Sequence, residues 1–164
     1  MKQTYRVVSG LIALGVVVQA SAIAFGWFGA LHDVDKGAVL DKNFQGNVGH
    51  TIHWLNGMYL MPLLGLILLI VSFFAAKSVP GARKWAGIVF GLIVLQVALA
   101  LFAFGAPILG ALHGINALLI LGTAVRANMA TMTGRAAARL QGAGPVDVPA
   151  QSTGSTAQQS TRSV

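Results

Sequence analysis

Long apolar runs separated by short polar breaks fill most of this chain. A helix that crosses a bilayer takes about 20 mainly apolar residues, within a range of roughly 17–25. By that measure the pattern predicts four spanning helices: Val7 to about Ala30, Gly49 to about Ala76, Trp85 to about Gly105, and Leu109 to about Val125, with Arg126 ending the last. Leu31–Asn47 is the one sizeable polar loop, Lys77–Lys84 is a tight basic turn around Val79-Pro80-Gly81, and Ala106-Pro107 is a very short connection. Pro62 falls inside the second run and predicts a kink, because it removes a backbone donor that must be relieved locally. The expected fold is all-α, a four-helix transmembrane bundle of two helix hairpins, over residues 1–128. A basic juxtamembrane segment, 129–140, follows with Arg135 and Arg139, and a surface helix is one reading of it. From Gln141 the Gly, Ser, Thr, Gln, Pro and Ala-rich tail lacks the apolar content to order itself.

The start of the chain has a second reading. Lys2 and Arg6, an apolar run and Ala20-Ser21-Ala22 together have the form of a signal peptide with its cleavage site. The run nevertheless continues through Ile23-Ala24-Phe25-Gly26-Trp27-Phe28, and removing it would leave an odd number of spans. An uncleaved first helix is therefore expected.

Composition sharpens the class. The chain is 55% hydrophobic and 9% charged, against roughly 25% charged in soluble domains, and its mean hydropathy is +0.74. With no cysteine, it has no disulfide, iron–sulfur cluster, thiolate chemistry or c-type haem attachment. It has no glutamate either, and Asp33, Asp35, Asp41 and Asp147 all lie outside the apolar runs, which argues against proton transport through a membrane carboxylate. The net charge of +7 comes from basic residues beside apolar segments, without any nucleic-acid motif, so the expected partner is the lipid bilayer and not nucleic acid. Lys2, Arg6, Lys77, Arg83, Lys84, Arg126, Arg135 and Arg139 fall on one side of a four-span arrangement. That side is expected to be the cytoplasm, in a plasma-membrane protein with both termini inside. Trp27, Trp54, Tyr5 and Trp85 fit interfacial belts.

A weak repeat links the two halves. Arg6, Gly10, Gln19 and Phe25 match Arg83, Gly87, Gln96 and Phe102 at one constant offset, and His53 and Asn56 match His113 and Asn116 at a smaller one. Repeats related by an axis along the membrane normal often hold a site at their interface.

The candidate chemistry lies in two stretches, Gly49-His50-Thr51-Ile52-His53-Trp54-Leu55-Asn56-Gly57 and Leu112-His113-Gly114-Ile115-Asn116-Ala117. Both put His-x-x-Asn at the outer mouth of a spanning helix, and an ionisable group there is by default a functional-site hypothesis. His53 and His113 lie at similar shallow depth, with Gly49, Gly57, Gly110, Gly114 and Ala117 making room nearby. A haem b iron held by both imidazoles fits this pattern and would serve electron transfer or redox sensing, with a membrane redox partner or a second copy of the chain. The same residues also fit a structural polar cluster, bonded across the bundle with Asn56 and Asn116, in a non-catalytic accessory protein. A metal-ion or quinone site is a third reading. His50, one turn before His53, reads as an alternative ligand, a propionate partner or a surface residue. His32 with Asp33 and Asp35 offers divalent-ion ligands, though a loop of that composition is ordinarily just solvated. Gln19 and Gln96 read as interhelical hydrogen-bonding residues.

Through Gly-His-x-x-His-x-x-Asn-Gly, Val-Pro-Gly-x-x-Lys-Trp-Ala and Leu-His-Gly-Ile-Asn-Ala, residues 1 to about 128 resemble a family of small actinobacterial four-helix integral membrane proteins of unknown function. The layout also resembles one four-helix half of haem A synthase, with histidines near the outer starts of the second and fourth helices. That resemblance implies b-type haem with His53 and His113 as axial ligands. The enzyme's catalytic glutamate, one turn before the first histidine, is His50 here, so the resemblance does not extend to haem A synthesis.

Overall fold

The computed structural model describes residues 1–142, with side chains described through residue 132. Helix α1 spans Lys2–Asp35, α2 Val48–Leu55, α3 Met61–Ala75, α4 Ala82–Ala103 and α5 Ile108–Gly142. A π-helical turn, Asn56–Leu60, joins α2 to α3. Together they form one span, Val48–Ala75, so that four spans among the described residues are long and apolar enough to cross a membrane. The chain is thus an all-α bundle built as an integral membrane protein. Phe28, Phe73, Phe74, Phe102 and Leu118 are among many large apolar side chains that face outward; a bilayer accepts these where water would not.

Two boundaries differ from the sequence expectation. Helix α1 runs past Ala30 to Asp35, so His32, Asp33 and Asp35 sit on its last turns and not in a loop. Nothing breaks the helix before Gly37, whose φ of 97° ends it. Helix α5 passes through Arg126 without interruption, and residues 129–140 belong to it; the alanines at 124, 127, 130 and 136–138 favour continuing the helix. Gln141 and Gly142 are its last residues, and the remainder of the expected disordered tail lies outside the described residues. Pro62 follows a local adjustment of the backbone. The Met61 N–H donates to the Asn56 carbonyl five residues back, a widened turn of the kind that bends helices, placed directly before the proline.

Helix α1 packs on α5 as α4 packs on α3, while α1 with α2–α3 and α4 with α5 form the two hairpins. Helices α1 and α4 are therefore diagonal, and the half-repeat in the sequence is a pseudo-two-fold in the fold. The buried core (Tyr5, Ile12, Leu68, Val79, Ala82, Val89, Ile93, Ala124 and Ala127) lies toward the end that carries the chain's start and the turn after α3. At that end the hairpins are bonded to each other. The Tyr5 hydroxyl donates to the Ala82 carbonyl at 3.1 Å, and Asn128 Nδ2 donates to the Arg6 carbonyl at 2.6 Å and to Ser9 Oγ at 3.3 Å. Basic residues gather here, and the Arg126 guanidinium carbon and Lys84 Nζ lie 5.4 Å and 5.9 Å from the centre of the Trp85 ring. Toward the opposite end the packing thins: α2 lies on α1 and has no substantial contact with α4 or α5.

Candidate functional site

The thinly packed end holds the two histidines. His53 is five residues into α2 and His113 five residues into α5, about 7.5 Å below each helix start at 1.5 Å per residue. Each ring is fixed in the same way. His53 Nδ1 lies 3.1 Å from the Gln19 carbonyl, and His113 Nδ1 lies 3.1 Å from the Gln96 carbonyl. A carbonyl only accepts, so each Nδ1 carries the proton and each Nε2 is a free lone pair. One turn on, Asn56 Nδ2 donates to the Gly15 carbonyl at 3.1 Å and Asn116 Nδ2 to the Leu92 carbonyl at 2.9 Å. Gly15 and Leu92 stand at the same offset as Gln19 and Gln96. The His-x-x-Asn motif is thus a clasp that binds two successive turns of the preceding helix, once in each hairpin.

This geometry corrects the polar-cluster reading in the form expected from sequence. The clasps do not join the two hairpins: His53 and Asn56 bond only to α1, and His113 and Asn116 only to α4. Between the hairpins the two imidazoles meet with ring centres 6.3 Å apart and planes inclined at 56°. They line a cavity of about 380 Å³ with Gln19, Ala20, Gly57, Gln96, Gly114 and Ala117, within the range of roughly 300–1,000 Å³ usual for small-molecule sites. Of the small residues expected to make room, Gly57, Gly114 and Ala117 do so. Gly49 instead lets α2 meet the α1 backbone, since a Cβ there would stand 2.5 Å from the Gly26 nitrogen and 2.6 Å from the Ala22 carbonyl oxygen. Gly110 faces Ala103.

The chain matches no protein-family profile, no curated protein and no solved structure. Function must therefore be read from the site itself.

The two halves are not equal. Gln96 completes its clasp, with Nε2 donating to the His113 carbonyl at 3.0 Å and Oε1 accepting from Asn116 Nδ2 at 2.6 Å. Gln19 presses on Gly57, and its Oε1 is buried without a partner. Only the first half carries the π-helical turn, directly after Asn56.

His50 lies outside the cavity lining and caps a helix. Its Nδ1 accepts from the Asn47 N–H at 3.2 Å while Asn47 Oδ1 accepts from the Gly49 N–H at 3.0 Å, a capping box with histidine in the usual glutamate place. Asn47 Nδ2 also donates to the Gly26 carbonyl at 2.8 Å, and the His50 ring packs edge-on against Trp27 and Phe44. Asn56 and Asn116 are buried behind the histidines and are not part of the lining. His32, Asp33 and Asp35 form no metal cluster, and no group of three metal-ligating side chains occurs among the described residues. Sequence reading overlooked Asn47, although an Asn just before an apolar run is an N-cap signal. It had no means of finding the accepting carbonyls of Gly15 and Leu92.

Proposed function

We propose that this is a plasma-membrane protein, with both termini in the cytoplasm, that holds a b-type haem between His53 and His113 near its outer face. The observation that carries this reading is the pair of Nδ1-anchored rings across a cavity. Histidines that bind metals almost always donate the other ring N–H to a carbonyl or carboxylate, which fixes the tautomer and raises ligand basicity. Both rings have that arrangement. The two ring centres lie 6.3 Å apart across the cavity, close enough that His53 and His113 would hold one metal between their Nε2 atoms. A bare zinc ion needs three or four protein ligands, and only two converge here. Two imidazoles suit a metal whose other ligands come from its own macrocycle.

Haem iron would supply a one-electron couple tuned by its axial ligands and burial. His53 and His113 would hold the iron through their Nε2 atoms and leave it no site for a substrate, which favours electron transfer or redox sensing over catalysis. The basic end supports cytoplasmic termini, since Lys2, Arg6, Lys77, Arg83, Lys84 and Arg126 gather where Tyr5 meets Ala82 and Arg6 meets Asn128. The reading is tested by the visible spectrum of protein made in haem-replete cells and purified in detergent. Sharp bands of six-coordinate low-spin haem on reduction are expected; a colourless protein would refute it.

A further inference from the structure

The cavity has a side window, and its position bears on where the ligand comes from. Its exposed lining residues are Val17, Ala20, Ser21, Gly114 and Leu118. All five belong to α1 or α5. On the opposite seam, between α3 and α4, the lining closes on buried Met61 and Ile93, which are 5% and 1% exposed. Gly65 tightens that seam, because a Cβ there would meet Ile93 Cδ1 at 2.8 Å and Phe90 Cδ2 at 3.3 Å. One turn deeper, Val16 on α1 and Ile120 on α5 close the near seam too, at 7% and 2% exposed; the difference lies at the level of the histidines, where the lining on the far side (His53, Gly57, Gln96 and Val97) is half-buried and that between α1 and α5 is exposed. A Cβ on Gly114 would have nothing within 4 Å, and the bonds that hold α1 to α5, from Asn128 to Arg6 and Ser9, lie toward the basic end.

We propose that the seam between Ala20–Ser21 on α1 and Gly114–Leu118 on α5 is a lateral portal, through which a flat, largely apolar macrocycle passes edge-first from the bilayer to the histidines. The inference rests on the haem reading for the identity of the ligand. Its basis is the one-sided exposure of the lining: Ala20, Ser21 and Gly114 at the seam are small, and His53 and His113 line the same cavity. Apart from the Ser21 hydroxyl, the exposed lining on this path is apolar, which suits a ligand that partitions into the membrane.

The test uses full-length protein prepared without haem and reconstituted in lipid nanodiscs. Haem b is offered either dissolved in lipid vesicles or bound to serum albumin in the aqueous phase, and the low-spin spectrum is followed in time. Faster uptake from vesicles than from albumin is expected. Ala20→Trp and Ser21→Trp, which crowd the portal, should each slow uptake from vesicles at least tenfold and reach the wild-type spectrum at the end. Val94→Trp, on the lipid face of α4, should load at the wild-type rate. Unchanged rates in both portal variants, or faster uptake from albumin, would overturn the portal and leave the haem reading standing. Failure of the wild type to develop the spectrum from either source would overturn both.

Discussion

His53 and His113 face each other with ring centres 6.3 Å apart, yet each is hydrogen-bonded only to its own hairpin. Every side-chain hydrogen bond that joins the hairpins among the described residues is at the basic end, where Tyr5, Asn128 and Ser9 take part. At the histidine end nothing polar closes the gap. The motif is used twice to brace two separate hairpins, and both imidazoles line the cavity between them.

The unequal glutamines give the first prediction. Gln96→Leu removes two hydrogen bonds and should lower the bundle's stability by about 0.6–2 kcal/mol, the range for such bonds between membrane helices. Gln19→Leu removes a buried acceptor that has no partner and should be nearly neutral, because an unpaired polar atom is itself a cost. Denaturation in mixed micelles measures both. An equal loss in the two variants would show that Gln19 also holds its clasp.

Gly49→Ala should be harmful out of proportion to its size. The new methyl would stand 2.5 Å from the Gly26 nitrogen and 2.6 Å from the Ala22 carbonyl oxygen. Backbone yields less readily than a side chain, so a cost of about 1–3 kcal/mol is expected, as for overpacked sites. Gly87→Ala, where a Cβ meets nothing within 4 Å, is the control and should be neutral or slightly stabilising through helix propensity. Thermal melts of the two variants check the contrast.

Tyr5→Phe tests the link at the basic end. Tyr5 is fully buried, and its hydroxyl bonds the Ala82 carbonyl across the hairpins. Losing this bond should cost about 0.5–1.5 kcal/mol and leave any haem spectrum unchanged, because the two sites lie at opposite ends of the bundle. A shifted spectrum would mean that the hairpins move as one lever.

Topology is the fourth expectation. Reporter fusions in Lys77–Lys84 should read cytoplasmic, and fusions in Lys36–Lys42 should read outside, since charge bias sets orientation. The reverse result would invert the assignment of the outer face.

The four spans and the hairpin repeat were legible because apolar run length and basic punctuation are direct imprints of the bilayer. His53 and His113 were legible because a polar residue inside such a run stands out. Helix ends were less legible: neither Ala30 nor Arg126 carries a breaker, and α1 and α5 continue past both. The roles of the asparagines were misread for a specific reason. Their acceptors are backbone carbonyls on α1 and α4, and every residue has a carbonyl, so no letter in the sequence marks the one that is used. His50 was misread for a related reason, as its work depends on Asn47 three residues earlier and on the approach of Gly26.

The most direct measurement is the reduced visible spectrum of haem-replete wild type beside His53→Ala, His113→Ala, His50→Ala and His32→Ala. Each of the first two removes one Nε2 and should abolish or weaken the low-spin bands. His50→Ala loses a helix cap outside the cavity, and His32→Ala a residue at the end of α1, so both should keep the bands. Bands that survive loss of His53 or His113, or a wild type with no bands at all, would contradict the site proposed here.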